Sequence, residues 1–158
     1  MIKITPYLWF DTQAEEAAKF YVEIFDNSRI LEVARYGPAG PGPEGTAMNV
    51  VFELEGQKFI ALNGGPHFKF NEAVSFYVEC ETQGEVDELW NKLTAHGGEE
   101  SMCGWLKDRY GLSWQIIPKA LPELLGDPDP DKAACVMQAM LQMSKIDVSE
   151  LERAHARC

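Results

Sequence analysis

Two stretches decide the fold: "TPYLWFDTQAEE" at residues 5–16 and "SFYVECETQGEV" at residues 75–86. Laid over one another, they match Tyr7 with Tyr77, Thr12 with Thr82, Gln13 with Gln83 and Glu15 with Glu85. The shared residues fall where an apolar strand gives way to a helix. Thr-Gln-x-Glu reads as a capping box, in which the Thr hydroxyl accepts from the backbone three residues on and the Glu returns the bond. Behind the first copy, Ala14, Ala17, Ala18, Tyr21, Ile24 and Phe25 share one helical face. Behind the second, Val86, Leu89, Trp90 and Leu93 do the same, with the register slipped by one residue. Gly97-Gly98 tolerates positive φ and ends the second helix.

Further along each copy lie three strand-like runs. After the first helix they are 29–36, 47–56 and 57–63, the last two meeting at a tight Glu55-Gly56 turn. After the second they are shorter, at 100–103, 105–108 and 112–117. The order strand, helix, three strands therefore occurs twice. The expected class is α+β: two βαβββ modules with curved mixed or antiparallel sheets, plus C-terminal helices. The modules are expected at 1–66 and 67–120 with a helical tail at 121–158, together one compact domain whose two sheets face a cleft. "GPAGPGPEG" (37–45) is a long Pro/Gly loop, either plainly exposed or acting as a lid. "GDPDPD" (126–131) precedes a helix capped by Asp129, with Pro130 in its first turn, running to about Ser144. Val136, Met137, Met140, Leu141 and Met143 give that helix a wide apolar face, which core packing or a second subunit must cover.

Composition narrows the function. The chain has 158 residues, 46% of them hydrophobic, and a formal net charge of −11 with no basic cluster, which argues against nucleic-acid binding. No apolar run is long enough for a membrane-spanning helix. "MIKITPYLWF" reads as a first strand rather than a signal peptide, so a cytoplasmic protein is expected. Cys80, Cys103, Cys135 and Cys158 lie far apart, with no Cys-x-x-Cys pair, and read as free thiols.

The stretches "AEEAAKFY", "ALNGGPHFKF", "SFYVEC", "CGWLKDRYGLSWQIIP" and "VMQAMLQMSKID" resemble the PhnB-like proteins, labelled 3-demethylubiquinone-9 3-methyltransferase domain proteins. The doubled plan resembles the wider vicinal oxygen chelate superfamily of glyoxalase I, bleomycin-resistance proteins and extradiol dioxygenases. The resemblance implies paired βαβββ modules, cavities under curved sheets and, in many members, a homodimer. Metal-using members place His, Gln or Glu ligands on the first and last strands of each module. Carried onto this chain, those positions fall at Thr5, Ser75, Asn63 and Gln115. None of these side chains carries a charge or an imidazole, so no metal and no cofactor is expected. Glu79 with His67 is the remaining metal pair; His96 and His155 read as surface or capping groups.

Neither methyl transfer nor nucleophilic catalysis has a motif here. "LNGGPHF" follows a strand but opens no helix, and there is no G-x-G-x-x-G. Cys103, beside Lys107 and Arg109 in sequence, reads as a small buried residue before a reactive thiol, and Asp108-Arg109 as a turn. What remains is a pocket, with Tyr7, Trp9, Tyr77, Trp105 and Trp114 as candidate aromatic lining and Thr5, Asn63, Ser75, Glu79 and Gln115 as polar groups. Alternation puts Ser113, Gln115 and Ile117 on one face; if Gln115 faces the ligand, Trp114 packs under a helix. The expected function is a homodimeric protein binding a small aromatic or amphipathic ligand without a metal. The alternatives are a metal-dependent lyase, isomerase or dioxygenase, a methyltransferase as the family label says, or an interaction module using the Met-rich helix.

Overall fold

The computed structural model describes residues 1–158 and divides them into two compact units, Met1–Phe70 and Asn71–Cys158. In the first, β1 (Tyr7–Phe10), α1 (Ala14–Ile24), β2 (Arg29–Arg35), β3 (Ala47–Leu54) and β4 (Gln57–Asn63) follow in turn. The sheet order is β1-β4-β3-β2, with β1 parallel to β4 and the other pairs antiparallel. The second unit repeats this with β5 (Ser75–Cys80), α2 (Gln83–Thr94), β6 (Glu99–Glu100), β7 (Trp105–Lys107) and β8 (Ser113–Pro118). Its order is β5-β8-β7-β6, with β5 parallel to β8. The class is α+β with two open, mixed sheets. The tail, α3 (Ala120–Leu125), α4 (Pro130–Met140) and α5 (Val148–Arg157), belongs to the second unit.

Strand pairing sorts each sheet into two faces. In the first unit Leu8, Val50, Phe52, Phe59 and Ala61 share a face through their registers and are buried. Ala14, Ala17, Ala18, Tyr21 and Ile24 of α1 close over them. Tyr21 stacks on Phe52 at 6.2 Å and Phe52 on Phe59 at 5.5 Å. Burying each such aromatic or aliphatic side chain is worth roughly 1.5–3 kcal/mol. Glu55 and Gly56 take φ of 48° and 83°, the pair of positive values a two-residue hairpin turn requires. In the second unit Leu106, Trp114 and Ile116 form the covered face, with Val86, Trp90 and Leu93 of α2 buried as well.

The two capping boxes part company. At α2, Thr82 accepts from the Glu85 N–H at 3.2 Å, and the Glu85 carboxylate turns back to the Glu81 N–H at 2.9 Å. At α1 no side chain of the box caps the helix. Glu15 is drawn instead to Arg35 of β2, which donates to both carboxylate oxygens at 3.2 and 3.0 Å. That guanidinium holds the Glu15 carboxyl below its ordinary pKa. The Ala14 N–H is met by Asn63 Oδ1 at 2.8 Å. A charged two-point contact outbids the local return bond, and a residue distant in sequence supplies the cap.

The loop at 37–45 folds around the Tyr36 ring. The Tyr36 N–H donates to the Thr46 carbonyl and the Gly45 N–H to the Tyr36 carbonyl, both at 2.9 Å, and the Tyr36 hydroxyl donates to the Asn63 carbonyl at 2.8 Å. Asp129 caps α4 with Pro130 in its first turn, but the helix ends at Met140, short of Ser144. Its apolar face is divided. Val136 is fully buried, in a cluster with Ile117, Leu121, Ile146 and Leu151, and Met140 and Met143 pack against it. Met137 and Leu141 stay 42% and 51% exposed.

The cysteine expectation is corrected for one pair. Cys80 and Cys103 are free, but Cys135 and Cys158 are joined in a disulfide. The tail folds α5 back beside α4 and brings the two Cα atoms to 6.6 Å, inside the range a disulfide spans. No Cys-x-x-Cys spacing announces this, because the approach is made by helix packing.

Candidate functional site

The face of each sheet opposite its helix is built by the other half of the alternation. In the first unit the pairings Tyr7↔Ile60 and Trp9↔Leu62 put those four residues on the open face. Tyr7 is 54% exposed. Trp9 is more constrained: its indole N–H donates to the Gly65 carbonyl at 2.9 Å, and Phe68 meets its ring edge-on at 4.8 Å. A Cβ on Gly64 would fall 2.3 Å from the Trp9 ring, so the Gly64-Gly65 pair lets the chain pass against the indole. Thr5 lies just ahead of β1, half-buried.

Asn63 is placed otherwise than the sequence suggests. Its register partner is Phe10, so it faces α1 rather than the open side. Its amide oxygen caps Ala14, and its amide nitrogen donates to the Ala47 carbonyl at 3.0 Å. Both ends of the side chain are committed to holding the unit together.

In the second unit the pairings Ser75↔Ser113, Tyr77↔Gln115, Glu79↔Ile117, Trp105↔Gln115 and Lys107↔Ser113 define the open face. Five predicted site residues meet there: Ser75, Tyr77, Glu79, Trp105 and Gln115. Gln115 donates to the Ser75 hydroxyl at 2.9 Å. Tyr77 is 55% exposed; burial, then the charge of Glu79, raises its phenol pKa. One end of this face is closed by the tail, since Ile117 belongs to the apolar cluster of Val136, Ile146 and Leu151. Toward the other end lies a pocket of about 150 Å³ lined by Glu72, Glu99, Trp105, Lys107 and Ser113 among others. Lys107 and Glu72 form an ion pair there; the bond from Lys107 lowers the Glu72 pKa and raises that of Lys107. Ser113 is fully buried and its Oγ has no hydrogen-bond partner. A buried hydroxyl left unpaired costs roughly 1–3 kcal/mol.

Trp114 is not part of this face. It lies on the covered side, 2% exposed, against Phe76 at 5.4 Å. Its indole N–H donates to Asp108 at 2.9 Å, and Asp108 also accepts from the backbone N–H of Tyr110 and of Leu112. Asp108 is itself only 2% exposed. The Asp-Arg-Tyr-Gly segment is thus a turn, as its composition suggests, but one organised around a buried carboxylate, which turn composition does not reveal. Ser113 is recoverable from its alternation with Gln115; nothing in the sequence marks Glu72.

The residues present do not fit a divalent metal. At the positions that the resemblance implies as ligands, the Asn63 side chain is committed to the cap and to the Ala47 carbonyl, and the Gln115 amide N–H donates to the Ser75 hydroxyl. No three His, Cys, Asp or Glu side chains converge in a group able to hold an ion. His155 pairs with Asp127 at 2.7 Å, lowering the aspartate's pKa, and His96 sits at φ 59° after α2.

With this geometry in view, the model of the family described as 3-demethylubiquinone-9 3-methyltransferase matches residues 2–117. The PhnB protein of Bacillus cereus is 40% identical, with 74% of this chain and 99% of that chain covered and a TM-score of 0.69. Protein PA1353 of Pseudomonas aeruginosa shares the fold at 20% identity, a TM-score of 0.62 and coverage of 75% and 98%. So does the fosfomycin resistance protein FosX of Listeria monocytogenes, at 16% identity, a TM-score of 0.52 and coverage of 78% and 98%. No curated protein matches the chain. A match over residues 2–117, two open βαβββ sheets and the Bacillus relative's agreement together establish that the chain belongs to the PhnB-like 3-demethylubiquinone-9 3-methyltransferase family.

Proposed function

We propose that the chain binds a small aromatic or amphipathic molecule on the open face of its second sheet, without a resident metal. The observation that carries this reading is the pocket of about 150 Å³ in which the half-buried Trp105 stands beside the unpartnered Ser113 hydroxyl. An aromatic ring beside a few polar groups, here the Ser113 hydroxyl, Glu99 and the Lys107–Glu72 ion pair, is the usual recipe for orienting a small ligand. Tyr77 and the Gln115–Ser75 pair extend the same face and offer further aromatic and hydrogen-bonding contact. The family label names a methyltransferase, but the glycine pair after β4 is used for passage against Trp9, and that use requires no cofactor.

Tryptophan fluorescence and calorimetry with a panel of phenols, naphthols and indoles, each run with and without EDTA, test the reading. Saturable one-site binding that survives EDTA and weakens at least tenfold in Trp105→Ala supports it. Binding that appears only when zinc, nickel or manganese is added overturns it, as does the absence of binding across the panel.

A further inference from the structure

We propose that Cys135 and Cys158 are a thiol–disulfide exchange site whose closure locks α5 onto α4. The family match ends at residue 117, and the Bacillus relative is matched almost whole by 74% of this chain. The three tail helices therefore lie outside the matched family region. They are nonetheless tightly docked within the second unit. Cys103 and Gly104 donate backbone bonds to Met143 and Ser144 at 2.8 Å. Gln83 at the start of α2 accepts from the Val148 N–H at 2.8 Å and donates to the Ile146 carbonyl at 2.9 Å. A Cβ on Gly104 would come within 2.7 Å of Ile117 and 3.1 Å of Ile146, so the tail sits directly against the start of β7.

The disulfide joins the middle of α4 to the end of α5, 23 residues apart in sequence. Cys158 is exposed and Cys135 half-buried, so an external thiol reaches the bond without unfolding the tail. α5 has anchors that do not depend on the bond: buried Leu151 and Ala154, the His155–Asp127 pair, and Lys132 donating to the His155 carbonyl. Opening the bond therefore loosens α5 rather than unfolding the unit. The other thiols are poor competitors. Burial, and then the charges of Glu85 and Glu79, push Cys80 up to about 11, leaving it protonated at neutral pH. Cys103 is a free thiol just ahead of β7, outside the tail helices that carry the pair.

The co-reactant is a low-molecular-weight disulfide of the glutathione type. The Cys158 thiolate attacks one sulfur of that disulfide and forms a mixed disulfide, and the departing thiolate takes up a proton. The Cys135 thiolate then attacks the Cys158 sulfur, forming the internal bond and expelling the second small thiol. Two protein thiols are oxidised and one small disulfide is reduced to two thiols, by two electrons in all.

The test equilibrates the full chain in glutathione buffers from fully reduced to fully oxidised. Alkylation after acid quench and peptide mass spectrometry then count the thiols. The expected result is a single two-thiol step assigned to the 135–158 pair, with Cys80 and Cys103 alkylated throughout. Amide hydrogen exchange across Val148–Arg157 is expected to be at least tenfold faster in the reduced form. In Cys158→Ser it is expected to match the reduced rate in every buffer. Four free thiols in the oxidised buffer, a bridge involving Cys80 or Cys103, or equal exchange in both forms overturns the proposal.

Discussion

The two units begin with nearly the same words and finish them differently. In the first, Glu15 leaves its cap for Arg35, the Gln13 side chain accepts from the neighbouring Thr12 N–H, and Asn63 arrives from the end of β4 to cap the helix. In the second, Thr82 and Glu85 act locally, and Gln83 is spent on the tail. The hairpins differ in the same sense. The first turns on two residues with positive φ; the second is organised by the buried carboxylate of Asp108. A repeated motif thus supplies a repeated helix start, while the neighbours each copy acquires decide which atoms do the capping.

The largest way to break this contrast is Asp108→Ala. It strands the Trp114 indole and two backbone donors inside the second unit, and the expected loss is about 3 kcal/mol or more in urea unfolding. Asn63→Ala should come next, at about 2 kcal/mol, because it removes the α1 cap and the bond to the Ala47 carbonyl together. Thr82→Ala should cost about 1 kcal/mol, the ordinary worth of a side-chain cap. Thr12→Ala should change stability by less than about 0.5 kcal/mol, since that hydroxyl caps nothing. Equal effects at Thr12 and Thr82 would erase the asymmetry between the two units.

The smallest expected effect is a titration. Hydrogen bonds from Lys145, then from Gln83, hold the Asp87 carboxyl below its ordinary pKa. Its folded pKa lies below the unfolded one, so its contribution is present above the unfolded value and is lost as pH falls through the folded one. Carboxyl NMR titration should find Asp87 ionised to a lower pH than a free aspartate, and Lys145→Ala should return it most of the way. Glu15, held low by Arg35, is the counterpart in the first unit, and Arg35→Ala should release it in the same manner.

Much of this was legible in the chain. The doubled Thr-Gln-x-Glu, the spacing of Ala14 to Ile24 and of Val86 to Leu93, and the Glu55-Gly56 turn determine two βαβββ modules, because helix and strand periods are local properties. Alternation along 112–117 also determines that Gln115 and Trp114 point to opposite faces. Only tertiary structure decided that Asn63 faces α1, that Glu15 prefers Arg35, that Asp108 is buried under Trp114 and that Cys135 meets Cys158. Each of these pairs residues from different elements or across a turn. Their partnership is set by packing and by the demand that buried polar groups find partners, which no short-range pattern encodes.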